Sequence, residues 1–240
     1  MESNLFILLF CTGLKIITLL CISGYLFFNW LHQEKRYYSD FPFLNAITFI
    51  IYAIGKGIDM YVYVKYQNVS NLNEIYTQDI YIEILFRIRF IVSPILVVLP
   101  YLILMTIIWL NEKPRLRVIL SSLWFIVSIT SVMVAKTYAH MLLINQIVAF
   151  PVIILSIISF AIINYNKRFP QINSLLLSIG WFLFAVSQFL RNFWQDLGSG
   201  VWGLTWIGEL IEFGTLIIIG LGFIIPAFYS NDKDTKGKIN

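Results

Sequence analysis

Leu5–Leu31 reads LFILLFCTGLKIITLLCISGYLFFNWL, and its one charge is Lys15. A helix needs about 20 predominantly apolar residues to cross the hydrocarbon core of a bilayer, and this run exceeds that. Comparable runs follow at Pro42–Tyr66, Ile80–Leu110, Leu116–Ala135, Met141–Tyr165, Ile172–Trp194 and Val201–Phe228. Polar stretches such as His32–Asp40, Asn111–Arg115 and Asn164–Arg168 separate them. Only 12% of the 240 residues are charged, about half the ~25% of soluble domains, and the mean hydropathy is +0.79. The expected fold class is therefore all-α: a seven-transmembrane-helix bundle forming one domain over residues 1–229, with a short charged tail at 230–240. Seven spans leave no room for a soluble catalytic, nucleic-acid-binding or receiver domain. The net charge of +4 thus does not point to nucleic acid. The partner implied first is the lipid bilayer, and the expected location is the cell membrane, multi-pass.

Basic residues are retained on the cytoplasmic side of short loops. Loops after odd-numbered spans, with the tail, carry Lys35, Arg36, Lys113, Arg115, Arg117, Lys167, Arg168, Lys233, Lys236 and Lys238, against Lys65 and Lys136 on the other side. This asymmetry predicts an N-terminus outside and a C-terminus in the cytoplasm, in agreement with an odd number of spans. Met1-Glu2-Ser3-Asn4 lacks the basic region of a cleavable signal peptide, so the first span is expected to be retained. Trp30, Tyr37, Tyr38, Trp109 and Tyr229 near the inner boundary, and Tyr66, Tyr81, Trp194 and Trp202 near the outer one, read as interfacial anchors. Cys11 and Cys21 are about 15 Å apart along one helix and cannot bridge each other. Asn68-Val69-Ser70 is a glycosylation sequon on the outer side.

Phe41-Pro42-Phe43-Leu44-Asn45-Ala46 and Phe169-Pro170-Gln171-Ile172-Asn173-Ser174 resemble each other, and Glu83 precedes Pro100 as Glu209 precedes Pro226. These matches pair spans 2 with 6 and 3 with 7, which suggests a 3+1+3 parallel repeat of a kind some carriers use. The blander explanation is that proline is common at helix starts.

Ionisable residues inside apolar spans are costly and usually face the bundle interior or a water-filled cavity. Lys15, Lys56, Asp59, Glu209 and Glu212 fall in the outer half of their spans, and Glu83, Arg87, Arg89 and Arg191 lie near the outer edge. Lys56 and Asp59 share a helix face, as do Glu209 and Glu212, and Glu83 and Arg87. On the sixth span Trp181, Gln188, Arg191, Asn192 and Gln195 form a polar stripe. If the spans follow one another around a ring, helices 1, 2 and 7 touch, and Lys15, Lys56, Asp59 and Glu212 can meet with balanced charge. The expected ligand-binding residues are Lys15, Lys56, Asp59, Trp181, Gln188, Arg191, Glu209 and Glu212, lining a pocket open to the outside. The competing explanation is that Arg and Lys snorkel to headgroups and the rest are structural ion pairs.

His32 and His140 are the only histidines, one at each surface, so no haem pair or His-based metal site is expected. A glycine-rich phosphate loop and a Gly-x-Ser-x-Gly elbow are both missing, and enzymatic activity is not expected. Gly208, Gly214, Gly220 and Gly222 suggest close helix approach, and Pro94, Pro100 and Pro151 suggest kinks.

Trp181-x-x-Phe184-Ala185-x-x-Gln188 resembles the retinal-facing stripe of a microbial-rhodopsin sixth helix, and Glu212 stands where the seventh-helix carboxylate would be. The seven-span plan is similar to that of microbial rhodopsins and of prokaryotic seven-helix sensory modules. The Schiff-base lysine expected four residues after Glu212 is replaced by Leu216, and the seventh span holds no lysine. A covalent retinal is therefore excluded, no cofactor is expected, and the resemblance implies only an extracytoplasmic-facing pocket.

The function expected first is that of a receptor or sensor that takes an unidentified small ligand from outside and signals through a separate cytoplasmic partner. A small-solute or ion-coupled carrier is the alternative, favoured by the repeat and disfavoured by an inner half without charged relays. A structural membrane subunit is the third.

Overall fold

The computed structural model describes residues 2–37, 40–66, 76, 79–92, 99–110, 112–167, 169–196 and 204–227. They form α1 (Glu2–Leu31), α2 (Phe41–Lys65), α3 (Ile80–Val92), α4 (Leu99–Trp109), α5 (Pro114–Val134), α6 (Tyr138–Tyr165), α7 (Ser174–Asp196) and α8 (Thr205–Ile224), with no strand among the described residues. Asn4–Leu31, Phe41–Lys65, Pro114–Val134, Tyr138–Tyr165 and Thr205–Ile224 are long and apolar enough to cross a membrane. The apolar part of α7, Ser174–Leu190, is shorter. The described parts of the expected third span are α3 and α4, 13 and 11 residues long. The sequon at Asn68, Pro94, the tail residues Lys233, Lys236 and Lys238, and Tyr38, Arg168, Trp202 and Tyr229 lie outside the described residues.

Local chemistry explains several boundaries. Proline, which needs no hydrogen-bonded N–H in a first turn, opens α2 at Pro42 and α5 at Pro114. Thr137 caps α6, its side chain accepting from the His140 N–H at 3.2 Å. Beyond the end of α6, Lys167 takes a left-handed φ of 52°, the conformation that commonly stops a helix. Asn173 caps α7 by accepting from the Leu176 N–H at 3.1 Å. Pro151 lies inside α6, so the carbonyl four residues earlier loses its helical partner.

The helices follow one another around a ring that closes where α8 packs on α1; among the described residues α3 and α4 do not contact each other, but each contacts α2 and packs against α5 and α6. Glycines permit the closest approaches. A Cβ at Gly222 would stand 3.0 Å from the Leu177 backbone N, and one at Gly180 would stand 3.1 Å from the Ile219 backbone N. These two positions set the α7–α8 separation, while Gly220 receives the Ile22 side chain of α1.

The distribution of polarity is inverted relative to a soluble domain. Large apolar side chains such as Phe6, Ile54, Val118 and Ile147 are exposed, while Lys15, Lys56, Asp59, Glu209 and Glu212 are buried. An apolar surface this extensive suits lipid rather than water. Two hydrophobic clusters fill the interior. One includes Leu8, Val62, Phe86 and Tyr138; the other includes Leu19, Phe49, Leu216 and Phe223. Along α1, α2 and α8 the buried charges fall between them.

Candidate functional site

Three helices bring the charges together. Lys15 of α1 is paired with both Glu209 and Glu212 of α8. The Lys56 ammonium of α2 lies 3.1 Å from Glu209, 3.4 Å from Asp59 and 3.6 Å from Glu212. Arg89 of α3 donates to Asp59 at 2.6 Å. Three cations thus face three carboxylates, as expected of charges held in a low-dielectric interior, where an unpaired ion is strongly disfavoured. The expected meeting of Lys15, Lys56, Asp59 and Glu212 is present, and Glu209 joins it. Arg89, read from sequence as an edge residue, belongs to the cluster too.

Glu212 divides its two oxygens. Oε2 faces Lys15 and Lys56. Oε1 accepts from the Tyr52 hydroxyl and, at 3.1 Å, from the Gln188 side-chain amide. Tyr52 and Gln188 also form part of the wall of a cavity of about 240 Å³. That cavity lies among α2, α4, α6, α7 and α8, with Phe49, Tyr101, Phe150, Trp181 and Leu216 in its walls. A smaller space of about 50 Å³ adjoins it, sharing Tyr52, Asn145, Gln146 and Gln188 and bordered by Arg89.

Of the residues expected to line one outward-open pocket, Trp181 and Gln188 border the larger cavity. Lys15, Lys56, Asp59, Glu209 and Glu212 do not; their side chains are sealed against one another behind it. The Arg191, Asn192 and Gln195 side chains lie outside the described residues. Glu83 and Arg87 pair with each other at 2.9 Å away from the cluster. The Arg87 guanidinium also donates to the carbonyls of Val132, Met133 and Ala135, occupying acceptors left open at the end of α5. Tyr52 was not singled out from sequence, although it lies one turn before Lys56 on the same face of α2. Asn145 and Gln146 carried no pattern that marked them.

Among the described residues, no group of three His, Cys, Asp or Glu is arranged to hold a metal ion. The indole N–H of Trp181 and the Oδ1 of Asn145 are buried with no hydrogen-bond partner there. Both residues line the larger cavity. No family model, curated protein or solved structure matches the chain.

Proposed function

We propose that the chain is a seven-span receptor or sensor of the cell membrane, with its N-terminus outside and its C-terminus in the cytoplasm. A ligand binds inside the bundle, and a separate cytoplasmic partner carries the signal onward. One observation carries this proposal: Tyr52 and Gln188 both line the cavity and donate to Glu212. A ligand that moves either side chain alters the hydrogen bonding of a carboxylate shared with Lys15 and Lys56. That provides a differential contact between bound and free states, which any ligand-driven shift requires.

The carrier alternative draws on the proposed repeat, whose halves differ in setting. Glu83 is partly exposed and pairs within its own helix, whereas Glu209 is buried in the cluster. Purified protein in nanodiscs, screened by thermal unfolding against lipophilic and polar small molecules, tests the receptor proposal. At least one compound should stabilise it saturably, since a ligand bound only to the native state raises its stability with concentration. The same compound should not accumulate in proteoliposomes. Accumulation lost in Glu212→Gln would establish a carrier. A complete absence of stabilising compounds would favour a structural subunit.

A further inference from the structure

The ligand's chemistry and its path to the cavity are legible in the walls, on the premise that the cavity is a receptor site. Most of the lining is hydrocarbon or aromatic, and no charged side chain belongs to the larger cavity. An ion placed there would face a large desolvation cost. Arg89 borders only the smaller space, and Asp59 already neutralises it at 2.6 Å. An anionic headgroup would therefore add an uncompensated charge to a balanced cluster.

Two polar atoms of the wall nevertheless want partners. Trp181 is 7% exposed, and its N–H can only donate. One end of the Asn145 amide is buried and unpaired. A hydroxyl both donates and accepts, so it serves the indole N–H and either end of the amide. Asn145 and Gln146 stand where the larger cavity meets the smaller one, which favours a molecule with a hydrocarbon body and a polar end.

The cavity also reaches the lipid-facing surface. Leu143 and Ile147 on α6 and Phe189 on α7 line it, and they are 51%, 62% and 61% exposed. Phe150 and Phe189 meet edge-on there, with ring centroids 4.8 Å apart. We propose that the cavity binds an uncharged, hydroxyl-bearing hydrocarbon that enters from the bilayer between α6 and α7, its hydroxyl bonded to Asn145.

Photolabelling of the whole protein in nanodiscs tests this, with a decan-1-ol probe bearing a diazirine on its chain. Labelling should saturate and map to the Leu143–Ile147 and Phe184–Phe189 stretches of α6 and α7. Unlabelled decan-1-ol should compete, and decane and decanoate should compete roughly tenfold less well, the scale of one hydrogen bond of about 1 kcal/mol or slightly more. Asn145→Leu should weaken competition by about three- to tenfold for the same reason. Ile147→Trp, at an exposed position on the mouth, should reduce labelling while leaving thermal unfolding unchanged.

Non-saturable labelling spread over the lipid-facing surface would overturn the site. Equal competition by decane, or wild-type affinity in Asn145→Leu, would overturn hydroxyl recognition and leave a space filled by acyl chains. Preferential competition by decanoate would overturn the uncharged class. The receptor proposal stands or falls separately, on whether any compound in the wider screen stabilises the protein without being transported.

Discussion

Glu212 is the residue on which the interior turns, because one of its oxygens belongs to the lysines and the other to the cavity wall. Removing its charge leaves the cluster with an excess cation, and breaking a buried pair from one side typically costs about 3–5 kcal/mol. Glu212→Gln should lower stability by that order in chemical denaturation of the reconstituted protein. Lys15→Met in the same chain should restore part of the loss by rebalancing charge. Glu83→Gln should cost under about 1 kcal/mol, because the Glu83–Arg87 pair is partly exposed. Equal losses from the two Glu→Gln changes would remove the cluster's special status. The sequence made this set partly visible: charged residues in apolar runs are conspicuous, and 3.6-residue periodicity pairs Lys56 with Asp59 and Glu209 with Glu212. Arg89 was hidden because its partner lies on another helix, and only folding brings Asp59 to it.

Between helices, packing and loop contacts make separate predictions. Gly222 admits no side chain, since a Cβ would stand 3.0 Å from backbone of α7. Gly222→Val should therefore cost about 1–3 kcal/mol, as overpacking does. A Cβ at Gly214 meets nothing within 4 Å, so Gly214→Ala should be neutral or stabilising by up to about 1 kcal/mol through helix propensity. Denaturation midpoints measured side by side check the pair, and equal effects would contradict the close α7–α8 contact. Where α2 leads toward α3, the Tyr66 hydroxyl donates to Asp79, which holds the Asp79 carboxyl below the usual carboxylate range. A depressed native value means that this tie is fully present above the ordinary Asp pKa of about 4. It is lost as pH falls through the native value. Tyr66→Phe should raise the Asp79 pKa, as read from its carboxyl carbon resonance during acid titration; an unchanged value would show that the tie is not made. Helix positions followed from run length, and most boundaries fell within a few residues.

At the scale of the molecule, the described residues include five helices of membrane-spanning length, and their apolar exterior encloses a charged interior. On the proposed seven-span topology, in which α3–α4 and α7 would supply the remaining crossings, a cysteine at Ser70 should react with an impermeant reagent in intact cells and one at Ser230 should not. Equal labelling would refute the proposed orientation. Of the cavity, only Trp181 and Gln188 were marked in the sequence: its walls come from five helices, and most are ordinary core residues whose convergence only the fold produces. The same applies to Tyr52, whose link to Glu212 spans 160 positions. Coupling between cavity and ion cluster is the central claim, and difference infrared spectroscopy with and without saturating decan-1-ol tests it most directly. The carboxylate band that disappears in Glu212→Gln should shift on binding, and the shift should shrink in Tyr52→Phe. A bound ligand that leaves that band unmoved would contradict the coupling.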